Sequence, residues 1–237
     1  PLCTTDYCPL VRAMKTGHIQ NTEAFLRHKL GHRVPVMIRS MPIRNEKGEI
    51  VGAVETFVDN SANLTTRRTI EELKNLALLD PLTGLFNRRH LETTMGVRLE
   101  ELRRYGTGLG AILFDIDDFK HINDSGGHDA GDEALRVVAR NLTANTRTVD
   151  TAGRWGGDEF LVLVERADPS ALQMIADRYR LLIEHSRVQF GGAEIHLTIS
   201  IGATIAQSSD TPESLVRRAD SFMYESKSAG RNRLTMR

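Results

Sequence analysis

Four carboxylates in this 237-residue chain sit where acids are costly to place. Asp115 and Asp117 end the apolar run 111–116, and Asp158 and Glu159 follow the pair Gly156-Gly157. Carboxylates beside an apolar strand need a cation or hydrogen bonds to offset their lost hydration. Hard oxygen ligands of this kind suit Mg2+ carrying a nucleotide phosphate. Taken alone, Asp115 and Asp117 read equally well as a solvated pair at a strand end. The glycines shift that balance, because two in a row admit positive φ in a tight turn and let a ligand approach the backbone.

Hydrophobic periodicity gives the elements that must hold these acids. A helix is expected over 87–104, with Leu91, Met95, Leu99 and Leu102 on one face, followed by the strand 111–116. A second helix carries Leu135, Val138 and Leu142 inward, and a hairpin turning at Gly156-Gly157 returns along 160–164. Asp168-Pro169 caps a third helix whose inner face is Leu172, Ile175, Tyr179 and Leu182. Gly191-Gly192 turns into an alternating strand, Ile195, Leu197, Ile199, Ile201, and a last helix runs from Pro212 to near Gly230. The ordering predicts an α+β layered sheet with helices packed on it.

Upstream, residues 23–59 read as an antiparallel meander, with Val34, Val36 and Ile38 alternating, a turn at 45–48 and a β-branched run over 50–58. Residues 61–79 lack Gly and Pro and carry Leu64, Ile70, Leu73, Leu76 and Ala77 among charges, as a connecting helix does. With fewer than three heptads, a dimeric coiled coil and a lone amphipathic linker both stay open.

Composition narrows the function classes. Lys plus Arg and Asp plus Glu each number 31, so no global basic field exists to hold a nucleic-acid backbone, and any phosphate chemistry is local. No Gly-x-x-x-x-Gly-Lys-Ser/Thr loop is present, which excludes a Walker-type nucleotide site. The two cysteines, Cys3 and Cys8, are too few for a disulfide framework and lack zinc spacing, which fits a reducing, cytoplasmic compartment. Neither a signal peptide nor a membrane-length apolar span is found, so no membrane contact is expected within these residues. The chain begins at a proline, as a piece of a longer protein would, and an anchor upstream stays open.

The stretch Arg154-Trp155-Gly156-Gly157-Asp158-Glu159-Phe160 carries the signature after which the GGDEF diguanylate cyclases are named. Further motifs follow the family's order: Asp80-Pro81-Leu82-Thr83-Gly84-Leu85-Phe86-Asn87-Arg88-Arg89, Phe114-Asp115-Ile116-Asp117-Asp118-Phe119-Lys120, Asn123-Asp124, Gly127-His128-Asp129-Ala130-Gly131-Asp132, Ser200-Ile201-Gly202, Ala219-Asp220, and Lys227 before Gly230-Arg231-Asn232. The resemblance covers residues 80–237. It implies a palm-like, nucleotidyl-cyclase-like domain with a mainly antiparallel central sheet flanked by helices. It also implies a nucleotidyltransferase that condenses two GTP into cyclic di-GMP and two pyrophosphates within a homodimer. Residues 31–36, Pro42-Ile43 and 48–54 resemble the C-terminal strands of a PAS sensor domain. The implied organisation is a partial sensor segment over 1–60, a linker helix over 61–79 and the cyclase over 80–237. No cofactor is assigned to the sensor segment, since His18, His28 and His32 read as surface or strand-end histidines as readily as haem ligands.

Carried over position by position, the resemblance implies that Asp115, Asp158, Glu159 and the Ile116 carbonyl hold Mg2+, or Mn2+ in its place. Glu159 is the implied activator of the ribose 3′-hydroxyl. Asn123 and Asp132 would read guanine, a carboxylate accepting from N1 and N2 donors that adenine does not offer. Phe119 and Lys120 match the loop over the triphosphate, Gly156 and Gly157 give it room, and Lys227 and Arg231 match cations on the β- and γ-phosphates. Without the resemblance, Asp132 reads as a helix cap and the two cations as helix C-terminal charges. Arg147-Thr148-Val149-Asp150 fits the family's RxxD inhibitory motif, and Arg178, otherwise an ordinary solvated helix residue, sits where a second product-binding arginine is found. One departure is Gly126, where the family usually places an aromatic; its flexibility is expected to loosen the guanine pocket without removing a metal ligand. A silent module that binds GTP or cyclic di-GMP is the competing reading.

Overall fold

The computed structural model describes residues 8–237, apart from the side chains of residues 67, 68, 70–76, 189, 190 and 193. Cys3 therefore lies outside the described residues, as do the side chains of Ile70, Leu73 and Leu76. The chain divides into two compact units, Pro1–Lys74 and Asn75–Arg237.

The first unit opens with a short helix that periodicity did not suggest, α1 (Pro9–Thr16), started by Pro9 and closed by Gly17 at φ 70°. It packs on the meander β1 (Gln20–Arg27), β2 (Arg33–Arg44) and β3 (Ile50–Asp59), a three-stranded antiparallel sheet in the expected order. Val36, Ile38 and Ala13 are buried, and Cys8 is a buried free thiol. Helix α2 (Ser61–Leu78) follows.

The second unit contains α3 (Arg88–Tyr105), β4 (Leu109–Ile116), α4 (Phe119–Asn145), β5 (Thr151–Gly156), β6 (Glu159–Glu165), α5 (Pro169–Glu184), β7 (Arg187–Phe190), β8 (Ala193–His196), β9 (Ile199–Ile205), α6 (Pro212–Ser228) and β10 (Leu234–Met236). Five strands form one sheet in the order β10-β9-β4-β6-β5, antiparallel except for the parallel pair β10 and β9. Its centre, β4, is buried at every position, so its side chains split between two cores. Ile112, Phe114 and Ile116 join the α4 and α5 side, whereas Leu109, Ala111 and Leu113 join α3 and α6. The signature phenylalanine belongs to the first core, where Phe160 stacks on Phe114 with ring centroids 5.5 Å apart.

Two expectations are corrected. The alternating strand through Ile195 and Ile201 is two strands: Ile195 lies in the separate β7–β8 hairpin, and the main-sheet strand starts only at Ile199. The break falls at Thr198, whose carbonyl accepts from Asp117 N–H (2.9 Å) and whose hydroxyl donates to the Asp117 carboxylate (2.7 Å). The expected loop after β4 is helical, because α4 starts at Phe119 and bends at Gly127 (φ 76°, ψ 174°) rather than beginning beyond it. Ile122, buried in the α4 and α5 core, supplies the burial that makes this polar stretch fold as helix.

Candidate active site

The acids meet at one end of β4. Asp115 lies opposite Glu159 on β6 and opposite Ser200 on β9, and cross-strand partners share a face of the sheet. Both acids continue the α3 and α6 face. Asp158 is brought alongside by the two-residue turn of the hairpin, with Gly157 at φ 52°, and its carbonyl accepts from Ile116 N–H at 3.4 Å. Arg154 braces this turn, since its guanidinium donates twice to the Gly157 carbonyl (2.8 and 2.7 Å) and pairs with Asp80 at 3.2 Å. Burial opposes ionisation of Asp80, but the hydroxyl and N–H of Thr83 and the Arg154 charge hold its pKa below the ordinary value. The first family motif thus supports the signature turn, a role that spacing along the chain did not reveal.

Asp115 is 7% exposed. Burial pushes its pKa up to about 6 despite the Lys227 ammonium, with Asp158 and Glu159 adding repulsion. Lys227 Nζ sits 2.9 Å from Asp115 Oδ2. Glu159 is also raised, first by burial and then by the charges of Asp220 and Asp158. The reading of Asp115 and Asp117 as solvated acids is therefore overturned, and for different reasons. Asp117, equally buried, accepts from Thr198 Oγ1, Ser200 Oγ (2.6 Å) and Asn232 N–H (3.0 Å). It is a structural acid that pins the turn holding Arg231 and Asn232, both at positive φ.

Among the described residues no three acidic, histidine or cysteine side chains stand close enough together to hold a metal unaided. The donor set nevertheless fits a hard divalent cation completed by phosphate. It offers a buried carboxylate, a second one directly across the ladder, the Asp158 turn against Ile116, and a lysine ammonium already supplying positive charge.

Phe119 and Lys120 form the first turn of α4, behind Asp118 in the left-handed region (φ 54°), so backbone N–H groups and the positive helix end lie there. Asn123 lies one helical turn on and leans against Gly131, where a Cβ would collide with Asn123 Oδ1. Gly131 thereby brings Asn123 beside the segment bearing Asp132, whose carboxylate stands 3.8 Å from Arg136. Arg231 is exposed and 3.4 Å from Asp118. Gly126 lines a cavity of about 600 Å3 with His121, Ile122, Ile195 and Thr198. Glu159 lines another cavity, of about 430 Å3, with Arg88, Trp155 and Asp220; Arg88 lies 4.5 Å above the Trp155 ring. Arg88 and Asp220 were legible only as motif members, with no role.

On the far side of α4, Arg147, Asp150 and Arg178 come together. Asp150 accepts from Glu165 N–H (3.0 Å), and burial raises its pKa against the opposing pull of Arg147 and Arg178. Both arginines are exposed, and Arg178 donates to the Asn145 carbonyl at 2.9 Å.

Residues 77–233 match the family described as "Diguanylate cyclase, GGDEF domain". The chain belongs to this family. It is 40% identical over 236 residues to the response regulator PleD of Caulobacter vibrioides, covering 89% of this chain and 52% of that protein. It is 37% identical over 187 residues to diguanylate cyclase A of Treponema denticola, covering 77% and 50%. The chain thus spans about half the length of these curated relatives. The crystal structure of the coiled coil and GGDEF domain of DgcB from Caulobacter crescentus, in complex with c-di-GMP, superposes with a TM-score of 0.71 at 27% identity, covering 75% of this chain and 95% of that one. The GGDEF domain has the palm-like fold of these structures, a mixed central sheet flanked by helices. No described helix is long and apolar enough to cross a membrane.

Proposed function

We propose that the chain is a diguanylate cyclase in which two copies, each holding one GTP, condense them into cyclic di-GMP and release two pyrophosphates. The observation that carries this reading is buried Asp115 paired across the ladder with half-buried Glu159, beside the Asp158 turn.

Asn123 and Asp132 hydrogen-bond the guanine edge. The triphosphate lies over the start of α4 at Phe119 and Lys120, where helix-end N–H groups favour anions, and Gly156 and Gly157 leave the turn open to it. Lys227 and Arg231 take the β- and γ-phosphates. Asp115, Asp158, Glu159 and the Ile116 carbonyl hold Mg2+ or Mn2+, which when bound polarises the α-phosphate and neutralises the leaving pyrophosphate. Glu159 accepts the proton of the ribose 3′-hydroxyl, and the rise in its pKa on burial strengthens it as a base. One domain presents one such site, so the attacking hydroxyl comes from the nucleotide of the partner and turnover needs a homodimer.

Arg147, Asp150 and Arg178 form a product-inhibition site, with the arginines on phosphate or guanine and Asp150 orienting them. The c-di-GMP complex of the DgcB relative supports a product-binding role. In the same reading residues 1–60 are the PAS-like sensor segment, 61–79 the linker and 80–237 the cyclase, the first two setting the population of productive dimers.

Incubation with GTP and Mg2+, followed by chromatography, is expected to yield cyclic di-GMP, and ATP is expected to remain unconverted. A dimer freed of bound product that yields none would instead leave a silent nucleotide-binding module.

A further inference from the structure

Lys227 stands as a positive charge against the acids, and the way it is held points to a task beyond meeting phosphate. Its helix is fixed rigidly. Ser226, fully buried, hydrogen-bonds the Ile201 carbonyl and Thr235 Oγ1, each at 2.8 Å. Gly202 lets α6 lie directly on β9, because a Cβ there would collide with the Ala219 carbonyl and the Met223 N–H. The stem of Lys227 therefore starts from a fixed point, while four rotatable carbons leave the ammonium free to choose partners. Its present partner is Asp115, whose side chain is only 10% exposed against 34% for Lys227.

We propose that Lys227 is the internal counter-cation of the acid cluster and couples metal binding to nucleotide binding. This rests on the metal-site reading above. A divalent cation arriving alone must displace the ammonium from Asp115 and leave it without a partner, which is costly for a partly buried charge. A cation arriving with a triphosphate releases the ammonium toward a new anion. Metal and nucleotide consequently bind with positive coupling, and by linkage each raises the affinity of the other by the same factor.

The experiment is titration of the whole chain with Mn2+, followed by the electron paramagnetic resonance signal of the free ion, with and without a GTP analogue bridged by methylene between the α- and β-phosphorus atoms. In the parent, the analogue is expected to tighten Mn2+ about 10-fold, within the ordinary range for coupled sites. In Lys227→Met, Mn2+ alone is expected to bind about 10-fold tighter than to the parent, and the effect of the analogue should shrink to about 3-fold or less. Lys227→Gln should behave likewise, and Lys227→Arg should keep the parental coupling, which guards against a folding defect in any one variant. Unchanged or weaker Mn2+ binding to both neutral variants overturns the proposal. Asp115→Asn separates the two levels: if it binds Mn2+ as the parent does, the metal-site reading itself fails, whatever the Lys227 variants show.

Discussion

The site at the end of β4 and the RxxD site beyond α4 both gather charge, but they carry it in opposite ways. At β4 Asp115 is buried, Asp158 and Glu159 are half-buried, and the cation Lys227 is more exposed than its partner Asp115. At the RxxD site the arginines are exposed and a single half-buried aspartate is held by the backbone of Glu165. Burial, and then repulsion from neighbouring acids, raises the Asp115 pKa and calls for a ligand that brings positive charge. Exposed arginines are already solvated, so they can await an anionic ligand at little cost to the fold. Under the proposed function, the contrast separates a site for chemistry from a site for capture and release.

Substitutions should break this comparison unevenly. The largest effect is expected from Glu159→Gln, which keeps GTP binding while lowering turnover about 10²- to 10⁴-fold, the usual worth of a general base. Steady-state rates beside calorimetric GTP affinity check it, and turnover within a few-fold of the parent would remove Glu159 from that role.

Asp115 should leave its own mark on the pH dependence of stability. Its folded pKa is raised from 3.8 to about 6, so the folded state binds more protons than the unfolded state between those values. The contribution of Asp115 is therefore most favourable below the unfolded pKa and is lost as pH rises through about 6. Asp115→Asn should remove a cost of about 3 kcal/mol at pH 8 and almost none at pH 3.5, as the pKa difference implies. Denaturant midpoints at the two pH values measure this, and equal shifts at both would contradict the burial argument.

Arg147→Ala should weaken inhibition by cyclic di-GMP about 10- to 100-fold, the loss of one or two charge-assisted hydrogen bonds. Initial rates at rising product concentration report it, and an unchanged inhibition constant would place the product elsewhere. The smallest effect is on folding: the same variant should lie within about 0.5 kcal/mol of the parent in denaturant unfolding, as exposed substitutions do. A loss of 2 kcal/mol would mean that this arginine is structural and would erase the contrast between the sites.

Much of the fold was legible because local signals agreed. Asp168 does cap its helix through Ala171 N–H (2.8 Å); Asn87 caps α3 through His90 N–H (3.0 Å), and Thr211 caps α6 with a reciprocal Ser214 box. The apolar runs 111–116 and 160–164 matched strands buried on both faces, between two cores. What escaped depended on partners distant in sequence. The polar run Asn123-Asp124-Ser125-Gly126-Gly127 reads as loop, and only the burial of Ile122 and the Gly131 contact make it helix. The split between β8 and β9 follows from Thr198 meeting Asp117, 81 residues away. Strand β10 has only three residues, too short for any period to show. The site residues were legible as motif positions, but neither the Lys227–Asp115 pair nor the Arg154 brace on Gly157 leaves a trace in spacing.

The claim that the β4 acids beside the signature turn condense GTP is tested most directly by counting products. A dimer freed of bound nucleotide is given GTP and Mg2+, and pyrophosphate and cyclic di-GMP are measured together. Two pyrophosphates per cyclic dinucleotide are expected from the parent, and neither product from Asp115→Asn. Cyclic di-GMP formed by Asp115→Asn at the parental rate would contradict the account.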